Sequence, residues 1–208
     1  MIDTTLSEDF SRDSMIPDSP PITGVVLCGG QGQRMGGQDK GLLIYQGQPL
    51  VSHAIRALSE VTDTIIINAN RNLEAYRAWG YPVFSDADDR YAGPLAGLLM
   101  ALRQARTPWV LCLPCDMPHF DGSCLTRLYT AWRDHDCDIC TVTDGIRLYP
   151  VVALVNTNLA ESLACYLAEG ERKVEGWFTK HRMIRADYHD RPEVLTNLNT
   201  PKDWSSAR

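Results

Sequence analysis

Residues 27 to 41 read LCGGQGQRMGGQDKG. They grow out of ITGVVLC (22–28), a β-branched run with the composition of a buried strand. They lead into PLVSHAIRALSEV (49–61), where Leu50, Ala54, Ala57, Leu58 and Val61 fall on one helical face. Strand, glycine-rich loop and helix together form a βα unit with an oversized loop. Its glycines permit positive φ angles, so successive backbone N–H groups can turn inward, an arrangement that suits a triphosphate. Lys40 adds a point charge where negative charge builds up on a departing pyrophosphate. Arg34 and Asp39 sit in the same loop, and a functionless flexible loop has no need of these charged residues; Arg34 is read as a phosphate ligand, with a solvated surface charge as the alternative. Two familiar phosphate templates fail. Lys40 is followed by Gly41 rather than Ser or Thr, and the loop is too long for the dinucleotide fingerprint that runs straight into a helix.

Outward from the loop, short apolar runs alternate with amphipathic stretches. Strands are expected at 64–69, 82–86 and 108–114, the last being the most apolar of the chain, with helices at 72–79 and 93–105 between them. The second half predicts a helix over 121–135, strands at DICTV (138–142) and PVVALV (150–155), two helices between 157 and 180, and a strand at 183–187. Thr200 and Pro201 have the form of an N-cap and first helical residue, predicting a short closing helix. The alternation implies a Rossmann-like three-layer α/β/α domain with a mostly parallel sheet, spanning 21–208 as one unit. Residues 1–20, rich in Ser, Asp and Pro, are expected to be a disordered leader.

Composition narrows the function classes. The net charge is −6, but residues 1–20 hold five acids against one Arg, so the rest carries about −2. Such a near-neutral body argues against a nucleic-acid partner while leaving room for a small phosphate ligand. No apolar run approaches the ~18 residues of a transmembrane span, and the N-terminus has no secretory pattern, so neither membrane nor export is expected. Seven Cys with no export signal point to reduced thiols in the cytoplasm. Cys112/Cys115 and Cys137/Cys140 imitate zinc-ribbon spacing, but Cys112 lies inside the apolar run WVLCLP and no turn glycine follows either pair. Small buried hydrophobes are the better reading. The five His show no metal-ligand spacing, and no Ser, His and Asp constellation can be asserted.

The loop resembles the nucleotide-binding signature of the nucleotidyltransferase superfamily, and its form GGxGxRMGGxDKG resembles that of the molybdenum cofactor guanylyltransferase family. The likeness continues through NANR (68–71), GPLAG (93–97), PCDMP (114–118), ALVN (153–156), GERKV (170–174) and NLNTP (197–201). It implies transfer of GMP from GTP to the phosphate of molybdenum-molybdopterin, with release of pyrophosphate and magnesium as cofactor. It also implies GTP contacts at Leu27, Cys28, Gly29, Gly30, Lys40, Asn68, Asp86 and Asp116, a magnesium ligand at Asp116, and a molybdopterin contact at Asn197 and Asn199. Cys28 departs from the Ala common in the family, but stays small. Besides GTP and molybdenum-molybdopterin, the implied partners are transient ones, the proteins that insert or accept the cofactor. The rivals are a cytidylyltransferase for the same cofactor, a sugar-phosphate nucleotidyltransferase and a non-catalytic molybdopterin carrier.

The residues agree with this from their own chemistry. Asp116 follows the most apolar expected strand, and open α/β sheets bind ligands at the carboxyl ends of their strands. A hard carboxylate there suits magnesium, although an Asp before a helix can also be a simple N-cap. Asn68 and Asp86 end strands as well, so three polar side chains are expected along the edge that carries the loop. Asn197 and Asn199 alternate, which puts both on one face of an extended segment, with turn formation as the alternative.

Overall fold

The computed structural model describes residues 20–28, 38–86 and 93–198. Residues 1–19 of the expected leader, loop residues Gly29, Gly30 and Arg34, Asn199 and the expected closing helix lie outside these residues.

Nine strands and six helices are described. The strands are β1 (Ile22–Leu27), β2 (Ile44–Tyr45), β3 (Gln48–Pro49), β4 (Thr64–Asn68), β5 (Val83–Phe84), β6 (Trp109–Pro114), β7 (Ile139–Thr143), β8 (Leu148–Asn156) and β9 (Met183–Asp187). The helices are α1 (Leu50–Ser59), α2 (Leu73–Arg77), α3 (Pro94–Gln104), α4 (Gly122–Arg133), α5 (Ala160–Ala168) and α6 (Val174–Phe178). Seven strands form one sheet in the order β5-β4-β1-β6-β8-β7-β9. Every neighbouring pair is parallel except the two that involve β8, which runs against both β6 and β7. The mostly parallel α/β sheet expected from the alternation is therefore present.

Alternate residues of the central strands point to opposite faces. Ile22 and Val26 of β1, Leu111 and Leu113 of β6, and Val152 and Leu154 of β8 join α1 and α4 in one core. Val25, Val110, Cys112, Ala153 and Val155 join α3, α5 and α6 in the other. Val25, Val26, Val110 and Leu113 are fully buried, and burial of each such side chain is worth about 1.5–3 kcal/mol. The same alternation disposes of the zinc pattern: Cys112 faces one core while Cys115, Cys137 and Cys140 face the other. Burial pushes the Cys112 thiol up to about 12, as expected of a packed thiol rather than a ligand thiolate.

Local chemistry explains the helix starts. Gly93 has φ 125° and ψ 177°, a conformation in which a side chain would be strained, and Pro94 then occupies the first turn of α3. At α4 the cap is Asp121, whose Oδ1 accepts from the Cys124 N–H at 3.0 Å. Asp116 is therefore not a helix cap. Two elements differ from expectation. The stretch before α1 contains the hairpin β2–β3, turned through Gln46 and Gly47, both with positive φ. Asn-Gly is the stronger signal for such a turn, and Gln-Gly conceals it. A 3-10 turn also spans Pro192–Leu195, where the sequence suggested no element.

Candidate active site

Register brings the carboxyl ends of three strands level. Leu27, the last residue of β1, lies opposite Asn68 of β4 on one side and Pro114 of β6 on the other. One residue on, Cys28 N–H donates to the Asn68 carbonyl at 2.8 Å and Cys115 N–H donates to the Leu27 carbonyl at 3.1 Å. From β1 the chain passes to β4 on one side and later to β6 on the other, so this is the sheet's topological switch point, where a crevice opens. Asp116 and the loop that follows Cys28 both leave from here.

The glycine-rich loop returns to this edge at Asp39. A 3-10 turn over Lys40–Leu42 follows. The Lys40 Nζ lies 3.0 Å from Asp116 Oδ2, closing an ion pair between residues far apart in sequence. The two side chains are 21% and 14% exposed, enough for a ligand to reach both. Asn197 Nδ2 donates to the other oxygen, Asp116 Oδ1, at 3.3 Å, and Leu198 N–H donates to the Asp116 backbone carbonyl at 2.8 Å. Asn197 therefore touches the carboxylate expected to hold metal. Residues 196–198 form no strand, so the alternation read from the sequence is not what aims its side chain.

Asn68 and Asp86 come together on the opposite flank. Asn68 is 2% exposed, and its Nδ2 donates to the Phe84 carbonyl at 3.3 Å and to Asp86 Oδ1 at 2.9 Å. Its Oδ1 lies over Gly97 of α3, where a Cβ would approach to 2.4 Å. The second glycine of GPLAG thus makes room for the Asn68 amide. Asp86 is the more accessible of the pair, held by Asn70 as well: Asn70 Nδ2 donates to its Oδ2 at 2.8 Å, and the Asp86 N–H donates to Asn70 Oδ1 at 2.8 Å. Sequence reasoning named Asn68 and Asp86 but missed Asn70, although the repeat of Asn at 68, 70 and 72 was a visible signal.

Three further contacts also went unanticipated. Asp39 is gripped by Tyr76, whose hydroxyl donates to Oδ1 at 2.5 Å, and by Asn72, whose Nδ2 donates to Oδ2 at 3.1 Å. Burial, the neighbouring Cys28 and the Asp39 bond raise the Tyr76 hydroxyl far above its usual range, so it stays a donor. Tyr45 of the hairpin pairs through its hydroxyl with His119 Nε2 at 3.2 Å, tying the hairpin to the segment that follows Asp116. Beneath the edge, Cys28 and Cys115 are both buried, and Cys115 is raised first by its hydrogen bond with Cys28 and then by burial.

Among the described residues no three His, Cys, Asp or Glu side chains gather as a metal cage. Asp116 alone nevertheless fits magnesium, which is commonly held by one or two carboxylates with phosphate oxygens and water completing the shell.

A family model for the MobA-like NTP transferase domain matches residues 24–185. The chain belongs to this family. Among its relatives, the molybdenum cofactor guanylyltransferases of Shewanella frigidimarina and Shewanella loihica are 42% and 41% identical over 184 residues, covering 88% of this chain and 94% of each of theirs. The crystal structure of molybdopterin-guanine dinucleotide biosynthesis protein A from Archaeoglobus fulgidus superposes with a TM-score of 0.75 at 21% identity, over 89% of this chain and 96% of that one. Membership in the MobA-like NTP transferases makes this chain a nucleotidyltransferase. No helix of the described residues is long and apolar enough to cross a membrane.

Proposed function

We propose that the chain transfers GMP from GTP to the terminal phosphate of molybdenum-molybdopterin, releasing pyrophosphate and forming the guanine dinucleotide cofactor. The observation that carries this reading is the meeting of Lys40 and Asp116 at the level carboxyl ends of β1 and β6. A cation for the leaving phosphates and a carboxylate for a metal stand there 3.0 Å apart. The names of the Shewanella relatives supply the substrate class.

In this reading a phosphate oxygen of the acceptor attacks the α-phosphorus of GTP in line. The new P–O bond forms as the bond to the β-phosphate breaks, and the electron pair leaves with pyrophosphate. Lys40 leaves its resting contact with Asp116 and meets the β- and γ-phosphates, where charge develops as the bond breaks. Asp116 holds magnesium, with Asn197 orienting its carboxylate; when bound, the ion supplies charge neutralisation at the phosphate oxygens. Backbone N–H groups of the glycine-rich loop that follows Cys28 are assigned to the phosphates, with Leu27, Cys28, Gly29 and Gly30 in the nucleotide site and Arg34 as a further cation. Asp86, steadied by Asn68 and Asn70, accepts from the N1–H and exocyclic amine of guanine, contacts that neither adenine nor cytosine completes. The second half of the chain receives the acceptor. Its hollow of about 400 Å³, lined in part by Thr143, Arg147, Thr179 and Arg185, offers two guanidinium groups to an anionic pterin. Asn199 is assigned with Asn197 to the acceptor side, and the reaction takes place in the cytoplasm.

The test is pyrophosphate release by the purified full chain with magnesium and molybdenum-molybdopterin, compared for GTP, CTP and ATP. GTP should exceed the other two by at least ~10²-fold in kcat/KM, the scale expected when mismatched bases leave buried polar groups unpaired. Equal or better use of CTP would reassign the chain as a cytidylyltransferase, and no pyrophosphate from any nucleotide would overturn the reading in favour of a carrier or of an enzyme with another acceptor.

A further inference from the structure

Asp39 is an oddity on a loop expected to hold a triphosphate. A carboxylate beside Lys40 would repel phosphate if it faced the same way. Both of its oxygens are instead taken from behind, Oδ1 by the Tyr76 hydroxyl at 2.5 Å and Oδ2 by the Asn72 amide at 3.1 Å. Its backbone carbonyl meanwhile accepts from Leu42 N–H at 3.2 Å, starting the 3-10 turn that carries Lys40.

The two donors are themselves firmly placed. Tyr76 is fully buried, and its hydroxyl lies where a Cβ on Gly41 would come within 2.4 Å, so only glycine admits the tyrosine at that point. Asn72 stands in the left-handed region with φ 49° and ψ 37° and opens α2, its carbonyl accepting from Ala75 N–H at 2.9 Å. Asn is among the few side chains that tolerate that conformation. Each residue of the Asp39-Lys40-Gly41 triplet thus has its own reason: an anchor, a cation that reaches Asp116 and a gap for the anchor's partner. The donors come from the segment whose earlier residues, Asn68 and Asn70, hold Asp86.

We infer that Tyr76 and Asn72 are positioning residues for Lys40, acting through Asp39, so that one segment, 68–76, aligns the phosphate side of the site with its base side. This rests on the nucleotide reading given above. Lys40 is assigned to the β- and γ-phosphates, so a misplaced Lys40 should be felt by GTP and not by GMP, which lacks them. A general loosening of the fold would be felt by both.

The experiment is calorimetric titration of the full chain, and of its Tyr76→Phe and Asn72→Gly variants, with GTP and with GMP in the presence of magnesium. Tyr76→Phe keeps the buried ring and removes only the donor. Asn72→Gly keeps the positive φ and removes only the side-chain amide, at an exposed position. GTP affinity should fall about tenfold in Tyr76→Phe and about threefold in Asn72→Gly, the scale of a lost hydrogen bond to a charged group, with GMP affinity changed less than twofold. Asp39→Asn, which keeps an oxygen for Tyr76, should retain more GTP affinity than Asp39→Ala. Equal losses for GTP and GMP, or no loss for GTP in either variant, would overturn the inference while leaving the nucleotide reading in place. Failure of the unmodified chain to bind GTP at all would overturn both.

Discussion

The acids at the β4-β1-β6 edge and the acid in the β7–β8 turn are held in opposite ways. At the β4-β1-β6 edge, pairs are made across long stretches of chain: Asp116 is held by residues 76 and 81 positions away, and Asp86 by Asn68 and Asn70. In the β7–β8 turn, Asp144 is satisfied locally. Asp144 accepts from Ile146 N–H at 2.9 Å, Arg147 N–H at 2.6 Å and the Tyr149 hydroxyl at 2.9 Å, all within five residues. Those bonds hold its carboxyl below the usual range, the backbone N–H of Arg147 contributing most. An acid that closes its own turn is a structural device. A partly exposed acid held by distant partners, at the carboxyl ends of parallel strands, is placed for chemistry. The connection underlies the difference: Asp144 closes the short turn between β7 and β8, whereas Asp116 is met by Lys40 and Asn197 from distant parts of the chain.

The comparison breaks most visibly at Asp116. Asp116→Ala should lower turnover by on the order of 10²-fold or more at saturating magnesium, because it removes the metal's carboxylate and the resting partner of Lys40. Since Asp121 and not Asp116 caps α4, the melting temperature should hardly move, a separation of chemistry from stability that calorimetry checks directly. Turnover within a few-fold of normal would remove Asp116 from the mechanism.

A smaller effect is expected at Gly97. The added Cβ of Gly97→Ala would meet Asn68 Oδ1 at 2.4 Å, so the amide must shift and loosen its hold on Asp86. Preference for GTP over ATP should fall by roughly tenfold, with overpacking costing about 1–3 kcal/mol of stability. Unchanged preference would show that the base is read elsewhere.

The smallest functional effect should come from Asp121, away from the edge. Burial works against its charge, but bonds from the Ser123 hydroxyl and the Cys124 N–H, with Arg191 nearby, outweigh it and lower its pKa. Asp121→Ala should leave turnover unchanged and cost about 1 kcal/mol, the worth of an N-cap. Because the folded pKa is depressed, that contribution is present in full above the ordinary carboxylate range and fades as pH falls through the lowered value. The stability gap between the two proteins, followed by urea titration, should therefore close in acid. A constant gap would mean that the charge contributes nothing.

Much of this architecture was legible in the sequence. Apolar runs located β1, β4 and β6, and the amphipathic face of α1, with Leu50, Ala54, Ala57 and Leu58 buried, followed its spacing. Asp116, Lys40, Asn68 and Asp86 were named from the family resemblance, and their places at expected strand ends or in the glycine loop agreed with it. The contacts that complete the site were not legible, because they depend on register. Nothing in the order of residues says that Tyr76, a buried helical aromatic, sends its hydroxyl to Asp39, or that Gly97 is small for the sake of Asn68. The β2–β3 hairpin was lost to its Gln46-Gly47 turn. The zinc-like cysteine spacing was rightly set aside, since strand alternation sends Cys112 to the opposite face from its supposed partners.

The central claim is that the carboxyl edge of β1, β4 and β6 holds the nucleotide. Its most direct test is a crystal structure with magnesium and a GTP analogue whose bond between the α- and β-phosphates cannot be cleaved. The account predicts the β- and γ-phosphates on Lys40, the metal on Asp116, guanine against Asp86, and the 3.0 Å contact between Lys40 and Asp116 opened. Nucleotide bound instead in the hollow beside Arg147 and Arg185, with Lys40 still closed on Asp116, would contradict it.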